Sequence, residues 1–191
     1  MSTIDEQVEE QIEQFQRKIR ENPNDIVAHY NLGDTLQGVG RKDEAIAEYR
    51  KALELDTKRA YSAIVNYNLG TLYYGEKRLD EAIAQFGQSI EDLPKLRAKK
   101  DVKSDVAATA HYCLGCVLFE KTQQKEHYGN EQGDLDRAEE NFRKALEFDP
   151  NFSSAQKNLE IVRRMIRYGW SVKDESDVVL KVFAGNGDQF S

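Results

Sequence analysis

Proline occurs only three times in 191 residues, cysteine and methionine twice each, and tryptophan once. Two cysteines cannot build a disulfide framework, so packing must hold the fold, and a reducing, cytoplasmic setting is expected. With three prolines and 12 glycines, long structureless linkers are not expected within the body. No stretch approaches the roughly 18 consecutive apolar residues of a membrane span. Met1 to Glu13 is acidic and lacks the basic-then-apolar order of a signal peptide. Positive charge is also in deficit: 27 Lys and Arg against 34 Asp and Glu give a formal net charge of −7. Non-specific nucleic-acid affinity depends on cations that neutralise phosphates, so a nucleic-acid partner is not expected.

What is present is repetition. Leu-Gly occurs at Leu32-Gly33, Leu69-Gly70 and Leu114-Gly115, each inside an apolar pattern of helical spacing. After the first two, Asp43-Glu44-Ala45-Ile46 and Asp80-Glu81-Ala82-Ile83 follow at one offset, 12 residues from glycine to alanine (45 − 33 and 82 − 70). In the third unit the counterpart is Leu135-Asp136-Arg137-Ala138, at 138 − 115 = 23 residues. Ala28, Leu32 and Leu36, then Ala45, Ile46, Tyr49, Ala52 and Leu53, read as two amphipathic helices joined by a turn around Gly38 to Lys42. Small residues at Gly33, Ala45 and Ala52 suit helices whose axes cross closely. Apolar residues make up 39% and charged residues 32%, a balance that fits thin helices with one buried stripe each.

These residues resemble the tetratricopeptide repeat family, whose unit is a helix–turn–helix of about 34 residues. The first repeat carries Tyr30-Asn31-Leu32-Gly33, Asp43 to Ile46, Tyr49 and Ala52 to Asp56. The second carries Tyr67-Asn68-Leu69-Gly70, Tyr73, Leu79 to Ile83, Phe86 and Pro94. The third carries Tyr112, Leu114-Gly115, Leu118, Leu135-Asp136, Ala138, Phe142 and Ala145 to Pro150. Thr57, Ser89 and Cys113 depart from the pattern, replacing proline, alanine and the asparagine of the other two repeats. The resemblance implies an all-α, right-handed solenoid of antiparallel helix pairs. It divides the chain into a capping helix over 1–25, repeats over 26–59, 63–96 and 97–150, a second capping helix over 151–169, and a tail over 170–191.

The spacing between repeats is uneven. Gly33 to Gly70 is 37 residues and Gly70 to Gly115 is 45, so surpluses of 3 and 11 stand against the unit of about 34. The late Ala138 adds another 11. Eleven residues make close to three helical turns. No breaker interrupts the stretch, which predicts one long helix from about Leu96 to about Glu126 and a return loop over His127 to Gly133. Lys95, Arg97, Lys99, Lys100 and Lys103 crowd its start. They read either as a solvated helix face or as a basic lip for an acidic partner segment.

The resemblance also implies a concave surface lined by the first helix of each repeat, where members of the family bind peptides or helices of partner proteins. The facing residues are Tyr30, Asp34 and Gln37; Tyr67, Asn68, Thr71 and Tyr74; and Tyr112, Cys116 and Phe119. This points to a non-enzymatic adaptor, scaffold or assembly factor with a protein or peptide partner and no cofactor. One alternative is a co-chaperone that grips acidic C-terminal tails. Members that do so offer lysine and asparagine where Tyr30 and Asp34 stand here, and an acid at Asp34 would repel a carboxylate. A second alternative is a thiol or metal protein that uses Cys113-Leu-Gly-Cys116. The mid-helix position argues against it, because thiolates are stabilised at helix N-termini, and no metal site is expected. His29 and His111 precede their Leu-Gly pairs by the same three residues, a packing position rather than a catalytic one.

Beyond Ser171 the tail holds an apolar, β-branched run, Val178 to Phe183, followed by Ala184 to Asp188. Two readings stay open: a chain end without fixed structure, or a segment that docks on its own groove or on a neighbouring copy. If it docks, a variant lacking residues 171–191 binds an added groove ligand more tightly, or no longer self-associates by light scattering. Unchanged values for both would exclude docking.

Overall fold

The computed structural model describes residues 4–123 and 131–168. Among these lie eight α-helices: α1 (Ile4–Glu21), α2 (Ile26–Gly38), α3 (Lys42–Leu55), α4 (Ser62–Gly75), α5 (Leu79–Asp92), α6 (Lys100–Gln123), α7 (Glu131–Phe148) and α8 (Ser153–Tyr168). No strand occurs among the described residues. Each helix packs on the next along the chain, α2 on α3, α4 on α5 and α6 on α7 most extensively. The result is the expected all-α solenoid of stacked helix pairs, with α1 and α8 at its ends.

The Leu-Gly glycines explain why the pairs close. A Cβ at Gly33 would stand 2.8 Å from the Tyr49 ring, one at Gly70 2.7 Å from Phe86, and one at Gly115 2.7 Å from Phe142. All three rings are fully buried. Full burial of one such ring contributes about 3 kcal/mol of apolar transfer. Ala45, Ala82 and Ala138 sit in the same core at zero exposure, as short side chains must where axes cross. The turn between paired helices is equally repetitive. Gly40 and Lys77 stand seven residues after their glycines with φ of 79° and 61°, the left-handed region. In each turn the next N–H reaches back, Arg41 to the Leu36 carbonyl and Arg78 to the Tyr73 carbonyl, both at 2.9 Å, closing the helix end.

Helix starts are set locally. The Asp25 carboxylate accepts from the Ala28 N–H at 3.0 Å and caps α2. Before α4, Asp56 accepts from the N–H groups of Ala60, Tyr61 and Ser62 at 2.9, 2.7 and 2.9 Å and from the Ser62 hydroxyl at 3.0 Å. That one carboxylate orders the three-residue surplus between the first two helix pairs. Ser89, in place of alanine, is buried with its hydroxyl donated to the Ala63 carbonyl at 2.7 Å.

The third pair is the irregular one. α6 has 24 residues. It starts 15 residues before Gly115, whereas α4 starts 8 before Gly70 (115 − 100 and 70 − 62), an extension of about two turns. Thr122, at the position of Gly40 and Lys77, is helical. The long helix is therefore present, but its expected start needs correction. Leu93–Lys95 form a 3-10 turn, and Leu96, only 2% exposed, packs with Ala63 and Val106 instead of opening the helix. The Arg97 N–H donates to the Ala60 carbonyl at 2.9 Å, which ties the connector to the loop before α4. At the other end, Glu131 to Gly133 belong to α7 rather than to a loop. The expected helix end after Gln123, residues 127–130, Gly169 and the tail lie outside the described residues.

Two substitutions separate close approach from helix propensity. Gly70→Ala drives a methyl into the Phe86 ring and lowers stability by about 1–3 kcal/mol, read as a fall in Tm. Gly87→Ala, where nothing lies within 4 Å, raises stability by roughly 0.5–1 kcal/mol. Equal effects of both on thermal unfolding would refute the packing role of Gly70.

Candidate functional site

The first helices α2, α4 and α6 present their Tyr30, Tyr67 and Tyr112 positions on successive layers, yet the three differ in access. Tyr30, Asp34, Gln37, Tyr67 and Tyr74 are half-buried, and Asn68 and Thr71 are more than nine-tenths buried. Tyr112, Cys116 and Phe119 are 0%, 0% and 1% exposed. Phe152, just before α8, lies over Tyr112 with ring centroids 4.6 Å apart, and the Asn158 amide donates to the Cys116 sulfur at 3.6 Å. In the third layer the final helix occupies the face that the first two layers leave partly open.

Between α2 and α4 the side chains form a polar network. The Tyr49 hydroxyl, reaching through from α3, donates to Gln37 Oε1 at 2.9 Å and accepts from the Asn68 amide at 3.1 Å. Asp34 Oδ1 lies 3.5 Å from both that hydroxyl and the Asn68 amide nitrogen. The Gln37 amide donates to Thr71 Oγ1 at 3.3 Å, and Thr71 donates to the Asn68 carbonyl at 2.7 Å. Burial raises the Asp34 carboxyl above its ordinary range, partly offset by the Tyr49 hydroxyl. Burial, then the Asp34 charge, pushes Tyr30 up to about 12 against the opposing Asn68 bond. Tyr30 is thus a neutral hydrogen-bonding group beside an acid, on a surface held rigid from below. Farther along, the Tyr74 hydroxyl donates to Glu120, which also pairs with Lys77 at 2.8 Å. Glu120 joins the second and third layers.

Sequence reasoning missed two contributors. Tyr49 reads as core from its spacing, and only its ring is core; its hydroxyl links Gln37 on α2 to Asn68 on α4. Val27 is 42% exposed and precedes Tyr30 by three residues, so the 3-4-3 spacing of residues 27, 30, 34 and 37 marks it as a neighbour on that face. The five cations from Lys95 to Lys103 lie away from this network, on the connector and first turn of α6. Lys95, Arg97, Lys99 and Lys100 are exposed and Lys103 is half-buried.

The cysteines and histidines sit in packing environments. Cys113 and Cys116 are free and buried. Burial pushes the Cys116 thiol up to about 12 and Cys113 well above the usual thiol range. Tyr67 hydrogen-bonds Cys113, and Tyr112 hydrogen-bonds Cys116. Among the described residues, no group of three or more His, Cys, Asp or Glu side chains could hold a metal ion. His29 Nδ1 lies 2.6 Å from Glu48 Oε2, and His111 Nδ1 lies 2.9 Å from Asn141 Oδ1. Glu48 and Asn141 occupy equivalent places on α3 and α7, so each histidine ties a first helix to its partner.

Among the described residues, no helix is long and apolar enough to cross a membrane. No curated protein matches the sequence significantly. The fold has clear counterparts among solved structures. A crystal structure of MamA aligns over 82% of this chain and 78% of its own, with 23% identity and a TM-score of 0.60. A second MamA structure aligns over 85% and 87%, with 20% identity and a TM-score of 0.60. The Pseudomonas aeruginosa protein pilF aligns over 82% of this chain and 62% of its own, with 24% identity and a TM-score of 0.61. The sequence patterns of the tetratricopeptide repeat match residues 25–95 and 128–152. With the first two glycine-seated helix pairs and α7 inside those matches, the chain belongs to the tetratricopeptide repeat family, a family of protein–protein interaction modules.

Proposed function

We propose that this chain is a non-enzymatic adaptor or assembly factor that holds a peptide or helix of a partner protein against α2 and α4. The observation that carries the reading is the network joining Asp34, Gln37, Tyr49, Asn68 and Thr71 beside half-buried Tyr30, with half-buried Tyr67 and Tyr74 on α4 toward α6. Preorganised side chains lose little freedom on binding, which favours affinity from a small surface. Aromatic rings with hydroxyl tips contribute both apolar area and hydrogen bonds. Tyr112, Cys116 and Phe119 support this surface from within and take no direct part. The reading places the protein in the cytoplasm.

The co-chaperone alternative is disfavoured by electrostatics: Asp34 and Glu120 face the groove, and Lys77 is already paired with Glu120. A ligand carboxylate would meet acids where it needs cations. The test is capture of a partner by the wild-type chain, followed by titration with a Tyr30→Ala/Asp34→Arg variant. Affinity should fall at least tenfold while circular dichroism stays unchanged. If binding is retained, the partner does not use this groove; if Asp34→Arg alone tightens binding, the partner's acidic tail is the ligand.

The thiol or metal alternative has its own measurement. With both thiols buried and their ionisation suppressed, a disulfide reagent at pH 8 should modify neither in the native protein and both after unfolding in guanidinium. Rapid native labelling, or one equivalent of zinc by elemental analysis, would reinstate that alternative.

A further inference from the structure

We propose that the edge formed by the α3–α4 loop, the α5–α6 connector and the first turn of α6 is a second binding surface, for an acidic peptide segment of a partner protein. The surface is separate from the α2–α4 groove and does not depend on it.

Its cations come from two distant parts of the chain. Leu96, buried against Ala63 and Val106, anchors the connector, and the Arg97 N–H binds the Ala60 carbonyl at 2.9 Å. This lays Lys95 to Lys99 against the loop that holds Lys58 and Arg59. Buried Asp92 ties the two segments together: Arg59 Nε lies 2.8 Å from its Oδ1, and Lys95 is close enough to act on the same carboxylate. Lys99, Lys100 and Lys103 continue the edge onto α6, three and four residues apart and so on one face.

The density of cations without an ion partner distinguishes this edge. Arg41, Lys51, Lys77, Arg78, Lys121, Arg137, Lys144 and Arg163 all make ion pairs. Among the described residues, Lys58, Lys95, Arg97, Lys99, Lys100 and Lys103 make none. The stretch from Lys95 to Lys103 holds five cations and one acid, Asp101, in a chain of net charge −7. By contrast α3 and α5 open on Asp43-Glu44 and Asp80-Glu81, the sign that suits a helix start. Cations gathered at the positive end of a helix repel one another and the helix field, and an anionic ligand relieves both.

The overall charge selects the kind of anion. A polyanion longer than the edge, such as duplex nucleic acid or an anionic bilayer, would also meet the repulsive remainder of the surface. A short acidic peptide reaches only the basic edge.

The experiment is fluorescence anisotropy on the full chain with a labelled peptide of six consecutive Glu and Asp residues, beside its Gln/Asn counterpart. Binding of the acidic peptide alone, weakening as NaCl rises from about 50 to 300 mM, is the expected result. Lys99→Glu/Lys100→Glu should weaken it at least tenfold, and Lys99→Ala/Lys100→Ala severalfold. Lys42→Glu/Lys157→Glu, which makes the same change in net charge on α3 and α8, should leave it within twofold. The groove variant Tyr30→Ala/Asp34→Arg should also retain it. Equal binding of both peptides, or equal loss in the α3/α8 control, overturns the proposal. So does an edge variant that binds like wild type, or tighter binding of a 12-base-pair DNA duplex or of phosphatidylserine vesicles.

Discussion

Each helix pair in this array depends on an aromatic ring seated on a glycine. With a Cβ at 2.7–2.8 Å from the ring, neither Phe86 nor Phe142 nor Tyr49 could lie where it does. The missing side chain lets the paired axes approach, and that approach brings Ala45, Ala82 and Ala138 into contact with the opposite helix. In the first pair the consequence reaches the surface. There the ring is a tyrosine, so the contact that closes the core also delivers a hydroxyl to Gln37 and Asn68. Phe86 and Phe142 fill the same seat and deliver nothing polar. A polar network of this kind therefore sits between α2 and α4 and has no counterpart built on the other two rings.

The third pair shows how a repeat can change role without leaving the fold. Its glycine, ring and alanine are unaltered, so its core closes as in the others. The extra turns of α6 lie outside that core. They make room for the small cluster around Leu96 and Val106 and carry lysines to the array's edge. On the other face, Phe152 and Asn158 cover the row of Tyr112 and Cys116. Tyr112, equivalent in spacing to Tyr30 and Tyr67, is thus enclosed while they stay partly open.

Charge is segregated rather than spread. Several cations are tied to acids within a turn or across neighbouring helices, and the side chains between α2 and α4 are neutral or acidic. The connector before α6 gathers cations densely, because the backbone bond from Arg97 to Ala60 holds two cationic segments together. Buried Asp92 beneath them anchors Arg59, whose charge partly offsets the cost of burying the carboxylate.

The architecture was legible in the sequence because its causes are local and periodic. Leu-Gly pairs, the offset from glycine to alanine, and apolar spacings of three and four each depend on residues one or two turns apart. So does the left-handed turn at Gly40, although its equivalent, Lys77, carries no glycine to announce it. The surfaces were only partly legible. Tyr30, Tyr67 and Tyr112 are equivalent in spacing, and their difference in exposure arises from Phe152 and α8, which no spacing within their own helices encodes. Leu96 matches a helical apolar pattern, yet burial against Ala63 and the bond from Arg97 to Ala60 draw it out of the helix. By itself, then, the sequence determined the repeat and its number, since these follow from periodicity and close contact. Tertiary packing alone decided which equivalent side chains meet solvent and which cations meet each other, because both depend on distant segments being brought together.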